Sequence, residues 1–200
     1  MGNNQINQIS PKVAIIGRPN VGKSTLFNIL TDSRKSVVKN QAGVTRDIII
    51  SAADVWGKKY DLIDTGGVTE AQDLFSKLIK EQVSEFLHSV DFIIAVMDGR
   101  SGLLPEDRDI IKLAKQTGRP MLLVINKVDQ HHEDDMAKAD FHEFGLDVVA
   151  TSFEQRRGVA EIMEWIHQII PDAQETLKEG MQIAMVGKPN VGKSSLCNCL

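Results

Sequence analysis

The residues best suited to chemistry run from Gly17 to Ser24 and match the pattern G-x-x-x-x-G-K-S/T. Glycines let such a loop curl so that its backbone N–H groups point at an anion, and the following helix adds its positive end. We expect Lys23 to contact the β- and γ-phosphates of a nucleotide and the Ser24 hydroxyl to bind Mg²⁺. The predicted nucleotide-binding residues of this loop are Gly17, Arg18, Pro19, Asn20, Val21, Gly22, Lys23, Ser24 and Thr25.

The same loop occurs a second time from Gly187 to Ser194, again after a short apolar run. The repeat predicts a tandem protein, with one complete nucleotide-binding domain followed by the start of another. The predicted divisions are a flexible N-terminus (1–11), a first domain (12–171), an acidic linker (172–181) and a truncated second domain (182–200). The incomplete second site comprises Gly187, Asn190, Gly192, Lys193 and Ser194.

Two further motifs provide candidates for contacts to Mg²⁺ and the γ-phosphate. Asp64-Thr65-Gly66-Gly67 follows a predicted strand, which places an acid near Mg²⁺ and the Gly67 N–H near the γ-phosphate. On its own this motif would be read as a turn, and its distance from the phosphate loop favours the functional reading. Thr45 lies in a long polar connection, where its hydroxyl is a candidate Mg²⁺ ligand.

A third motif, Asn126-Lys127-Val128-Asp129, predicts the choice of base. A carboxylate at Asp129 can accept hydrogen bonds from guanine N1–H and the exocyclic amine, and adenine lacks both donors. We expect Asn126 to bind the base edge and tie adjacent loops together, and the Lys127 stem to cover the base face. The backbone N–H groups of Ser152 and Phe153 are predicted to face the base carbonyl.

Strand-like and helix-like segments alternate along the chain, which predicts an α/β fold. We expect a six-stranded, mostly parallel sheet with helices on both faces and the motifs at the carboxyl ends of the strands. The predicted strands after the first are 48–56, 59–63, 92–97, 121–125 and 147–151, with a tight turn at Gly57-Lys58. The predicted helices after the first are 74–87, 105–116, 133–144 and 158–170.

The bulk composition is that of an ordinary globular protein, with 42% hydrophobic and 25% charged residues. A net charge of −4 predicts no broad nucleic-acid-binding surface, so direct DNA binding is not expected. The chain has neither a signal-peptide pattern nor an apolar run of about 18 residues, which predicts a cytoplasmic protein that does not insert into membranes.

The motifs, their order and the repeat resemble the Der (EngA) family of bacterial GTPases. The resemblance rests on residues 17–24, Gly43-Val44-Thr45-Arg46-Asp47, the Asp64–Val68 motif and the Asn126–Asp129 motif. It implies a P-loop NTPase with a Ras-like fold that hydrolyses GTP to GDP and phosphate. It further implies a role in assembly of the large ribosomal subunit. The chain departs from the family pattern at Ala42 (usually Pro), Ile48 (usually Arg) and Phe153 (usually Ala).

Two questions about hydrolysis remain open at this stage. Val68 stands where many small GTPases have a Gln that orients water, and an apolar side chain cannot do this. In relatives that carry Asn20, K⁺ binds beside it, so K⁺-stimulated hydrolysis is predicted; alternatively, Asn20 only hydrogen-bonds the loop backbone. Another function also remains possible, a nucleotide-gated ribosome-binding module in which hydrolysis is incidental. The predicted catalytic residues are Asn20, Lys23, Thr45 and Gly67.

Overall fold

The computed structural model describes residues 10–31, 37–38, 49–65 and 77–172, with only the backbone described for 37–38 and 77–82. Thr45, Gly66, Gly67 and the second loop from Gly187 to Ser194 therefore lie outside the described residues. The strands are β1 (Lys12–Ile16), β2 (Val37–Val38), β3 (Ile49–Val55), β4 (Lys58–Asp64), β5 (Phe92–Asp98), β6 (Met121–Asn126) and β7 (Asp147–Ala150). The α-helices are α1 (Lys23–Thr31), α2 (Lys77–His88), α3 (Pro105–Lys115), α4 (Asp134–Ala139) and α5 (Val159–Ile169).

The strands form one sheet in the order β2-β3-β4-β1-β5-β6-β7. The β1, β4, β5, β6 and β7 strands run parallel, and β3 is antiparallel to both β2 and β4. The predicted fold class is confirmed. The described sheet has a seventh strand because the two-residue β2, which the sequence pattern did not predict, pairs with the edge of β3.

Helices cover both faces of the sheet because alternate side chains of the central strands point in opposite directions. In β1, Val13 and Ile15 belong to one buried cluster and Ala14 and Ile16 to the other. The first cluster includes side chains of α1 and α5, and the second includes side chains of α2 and α3. Among the described residues, no helix has the length and apolar character needed to span a membrane.

Two local predictions were wrong in detail. The β3–β4 hairpin turns at Trp56-Gly57, one residue before the predicted turn, with φ of 50° and 90° as in a type I′ turn. The helix predicted over 133–144 is only the short α4 flanked by two 3₁₀ turns, His131–Glu133 and His142–Phe144. Within this segment Phe141 alone is fully buried, and Ala137 and Phe144 pack against the same cluster partly buried. The two phenylalanines are placed there by the 3₁₀ turn that follows α4, not by a continuous helix.

Candidate functional site

The phosphate loop connects β1 to α1 and is shaped by close contacts with other segments. Gly17 has φ of 146°, and a Cβ built there would lie 2.2 Å from the carbonyl oxygen of Val96. Gly22 has φ of 109°, and a Cβ there would lie 2.4 Å from Asn126 Nδ2. Both positions therefore require glycine, because a side chain would be strained in its backbone and would overlap its neighbours.

Lys23 begins α1 and points back into this loop. Its side chain is buried, and its Nζ donates hydrogen bonds to the carbonyl oxygens of Gly17 (3.0 Å) and Arg18 (2.7 Å). The loop thus curls around the ammonium group, which brings the charge to the concave side where an anion would approach. Pro19, Asn20, Ser24 and Thr25 are exposed at the same loop, and Asn20 has φ of 62°.

Ser24 and Asp64 meet where β4 ends beside β1. The parallel register places Ile15 opposite Asp64, and the Ser24 Oγ donates a hydrogen bond to Asp64 Oδ2 over 2.9 Å. Thr65 is fixed next to them, because its Oγ1 donates to the carbonyl oxygen of Ile15 over 2.7 Å. A hydroxyl and a carboxylate side by side are hard oxygen ligands of the kind that Mg²⁺ prefers, so these residues fit that ion.

Asn126, at the end of β6, joins two loops. Its Nδ2 donates to the carbonyl oxygen of Val21 in the phosphate loop (2.8 Å), and its Oδ1 accepts from the backbone N–H of Phe153 (3.1 Å). The side chain is buried, so neither loop group has ready access to water as a replacement partner. The structure thereby brings the phosphate loop, the base motif and the segment after β7 into direct contact.

Asp129 is held from two sides. Its Oδ1 accepts a hydrogen bond from Ser152 Oγ (2.9 Å), and its Oδ2 accepts one from Arg100 Nη2 (2.7 Å). The hydrogen bond from Arg100, followed by that from Ser152, holds the pKa of the Asp129 carboxyl below its ordinary value. Asp129 is therefore ionised at neutral pH and acts only as an acceptor.

The two backbone donors predicted for the base carbonyl both have protein acceptors. Ser152 N–H donates to the carbonyl oxygen of Arg157 (3.1 Å), and Phe153 N–H donates to Asn126. A base carbonyl would have to share the Phe153 N–H with that amide. The Phe153 ring is buried beneath the phosphate loop, with its Cδ2 3.1 Å from the position of a Cβ at Gly22.

Several contacting residues were not anticipated from the sequence. The Nε of Arg18 donates to Asp107 Oδ1 (2.7 Å) and its Nη2 donates to Ser101 (3.0 Å), so this loop residue points towards α3. Asp107 is fully buried and also accepts from the N–H of Leu104 (3.1 Å). A signal was present: residues 99–101 directly follow β5, at the same sheet edge as the recognised motifs.

Comparisons with known proteins agree with this arrangement. Residues 12–127 match the model of a family described as 50S ribosome-binding GTPase. The GTPase Der of Persephonella marina is 39% identical over 94% of this chain and 45% of its own length. The GTPase Der of Citrifermentans bemidjiense is 41% identical over 96% of this chain and 44% of its own. The chain thus spans less than half the length of these relatives.

Solved structures show the same fold. Aquifex aeolicus Era bound to GDP.AlF4⁻ superposes with a TM-score of 0.64 at 27% identity, covering 82% of this chain and 57% of Era. The G domain of the T. maritima FeoB iron transporter gives 0.62 at 27% identity, covering 79% of this chain and 97% of that domain. The resemblance to Der is confirmed, and the matched residues show that the chain belongs to the family of 50S ribosome-binding GTPases.

Proposed function

We propose that the chain is a GTP-binding and GTP-hydrolysing switch that acts in assembly of the large ribosomal subunit in the bacterial cytoplasm. The observation that carries the proposal is the link made by Asn126, which joins the phosphate loop around Lys23 to the motif containing Asp129. One sheet edge thus offers a cation for phosphates and a carboxylate for a base. The link to the ribosome rests on the family description and the Der relatives.

In the proposed reaction, water attacks the γ-phosphorus, the bond to the β–γ bridging oxygen breaks, and GDP leaves with inorganic phosphate as the other product. Lys23 would exchange its bonds to the loop carbonyls for phosphate oxygens and meet the negative charge of the leaving group. Ser24, Asp64 and Thr45 would hold Mg²⁺, which neutralises charge on the β- and γ-phosphates. The Gly67 N–H would contact the γ-phosphate.

Asp129 is proposed to select guanine, with Lys127 covering the base. Lys127 Nζ lies 2.7 Å from Asp98 Oδ2, so the charged end of the side chain is anchored at the carboxyl end of β5. We expect titration calorimetry in Mg²⁺ buffer to give clear GDP binding and no measurable ADP binding, with Lys23→Ala abolishing the former. Equal affinity for GDP and ADP would contradict guanine selection.

K⁺ is proposed as a second cation, held by the Asn20 side chain beside the phosphates. Asn20 is an exposed residue of the phosphate loop. Hydrolysis at saturating GTP should be faster in K⁺ than in Na⁺ at matched ionic strength, and Asn20→Ala should lose most of the difference. Equal rates in the two salts would leave Asn20 with the alternative role of hydrogen-bonding the loop backbone.

A second candidate is a nucleotide-gated ribosome-binding module in which hydrolysis is incidental. The observation that favours it is Val68, which cannot orient the attacking water. A variant that binds GTP without hydrolysing it distinguishes the two. Normal subunit assembly with that variant would favour the binding module, and stalled assembly would favour the hydrolytic switch. Residues 182–200 are proposed as the start of a second such domain, after a linker over 172–181.

A further inference from the structure

Two ion pairs join the end of β5 and the loop after it to the base motif after β6. Lys127 Nζ lies 2.7 Å from Asp98 Oδ2, and Arg100 Nη2 lies 2.7 Å from Asp129 Oδ2. The two segments run side by side because β5 and β6 are parallel neighbours with Asp98 opposite Asn126. The N–H of Gly99 continues this pairing with a 2.7 Å hydrogen bond to the carbonyl oxygen of Asn126.

The position of Arg100 is fixed at its own backbone. Its N–H donates to Asp98 Oδ1 (3.0 Å), and the Ser101 hydroxyl donates to the carbonyl oxygen of Asp98 (3.2 Å). Burial raises the pKa of the Asp98 carboxyl, but the hydrogen bonds from the Lys127 side chain and the Arg100 backbone outweigh it and leave the pKa lowered. Arg100 is thus presented to Asp129 from a turn built on an ionised carboxylate.

The acceptor sites of Asp129 can be counted. An ionised carboxylate has about four lone-pair sites, two on each oxygen. Ser152 Oγ uses one on Oδ1 and Arg100 uses one on Oδ2, which leaves one site on each oxygen. The edge of guanine presents two adjacent donors, N1–H and the exocyclic amine. The two remaining acceptor sites of Asp129 therefore equal in number the two donors on the guanine edge.

We propose that Arg100 is a positioning residue for guanine, which holds the Asp129 carboxylate so that both oxygens face the two donors of the base. The inference rests on the proposed function, because it requires that Asp129 binds a guanine base. Arg100 contacts the carboxylate and acts through it. The effect is modest because the Arg100 side chain is 64% exposed and the pair competes with water.

The test compares GDP with inosine diphosphate, which lacks the exocyclic amine and makes only one of the two bonds to Asp129. By titration calorimetry we expect Arg100→Ala to weaken GDP binding about two- to five-fold, the range for an exposed ion pair. The affinity for inosine diphosphate should fall less, so the preference for GDP over inosine diphosphate becomes smaller. A general loosening of the loop would weaken both equally. Arg100→Lys should restore part of the preference, because lysine also donates to Oδ2.

Arg108→Ala provides the matched control. Arg108 forms an exposed pair with Glu143, with side-chain exposures of 52% and 47%, and neither residue belongs to the base motif. It should bind both nucleotides as the wild type does. Tighter GDP binding by Arg100→Ala would mean that Arg100 competes with the base for Asp129. An unchanged preference for GDP over inosine diphosphate would mean that Arg100 does not position the carboxylate. Either result overturns this inference and leaves the proposed function standing. No GDP binding by the wild type would overturn the proposed function as well.

Discussion

Replacing Asn126 by alanine tests whether the link between the two loops stabilises the fold. The change removes two hydrogen bonds at a buried position and leaves the Val21 carbonyl and the Phe153 N–H without their partner. A buried polar group left unsatisfied costs about 1–3 kcal/mol. Because water can enter part of the space vacated by the amide, we expect a combined loss of about 2–4 kcal/mol in the free energy of unfolding.

The assay is urea unfolding followed by circular dichroism, without nucleotide, so that lost ligand binding does not contribute. For a domain of this size the loss corresponds to a melting temperature lower by roughly 5–15 °C. Asn28→Ala is the matched control, because Asn28 is an exposed asparagine in α1, and its stability should change by less than about 0.5 kcal/mol. An Asn126→Ala variant within that same margin of the wild type would refute the reasoning.

Three further outcomes are expected. Gly22→Ala should cost roughly 2 kcal/mol more than Gly57→Ala, because both glycines have positive φ but only a Cβ at Gly22 meets other atoms; equal unfolding midpoints would contradict the overlap. Asp107→Ala should cost about 2–4 kcal/mol, because Asp107 is fully buried and both Arg18 Nε and the Leu104 N–H lose their acceptor, whereas Glu143→Ala should be nearly neutral; urea midpoints compare the two variants. Burial, and after it the negative charge of nearby Asp54, raises the pKa of the Tyr60 phenol in the folded protein. The neutral phenol therefore stabilises the fold fully below the pKa of an unfolded tyrosine, about 10, and this stabilisation is lost as the pH rises above that value. The phenolate absorbance of Tyr60, the only tyrosine, should then appear only with unfolding. In Tyr60→Phe the free energy of unfolding should fall less steeply at alkaline pH. Phenolate formation at about pH 10 in the folded protein would contradict this.

The central strands were predictable because burial on both faces leaves a simple pattern. β1, β5 and β6 are nearly continuous apolar runs, and β5 and β6 each end one residue beyond their predicted bounds. The short β2 left no such pattern, because a two-residue strand is defined by its pairing with Ile49 and Ile50. The helix predicted over 133–144 was too long for another reason: Ala137, Phe141 and Phe144 have a spacing that fits one helix, but the chain leaves α4 after Ala139 and reaches the core through a 3₁₀ turn.

Contacts within the site divide in the same way. The placement of Lys23, Ser24, Asp64 and Asn126 at one edge of the sheet could be predicted, because each belongs to a motif with fixed spacing. The pairing of Arg18 with Asp107 could not, because the residues are 89 positions apart and meet only through the order and register of the strands. The hydrogen bond from the Phe153 N–H to Asn126 Oδ1 was not predicted either, because those residues are 27 positions apart.

The packing of Phe153 beneath Gly22 has a consequence for how such sequences can diverge. A Cβ at position 22 would meet Asn126 Nδ2 at 2.4 Å as well as the Phe153 ring at 3.1 Å, and a φ of 109° strains any side chain there. Position 22 therefore stays glycine whichever residue stands at position 153, and the constraint runs in one direction only. Residue 153 can change across descendants while the glycine cannot, so the two sites should not drift together.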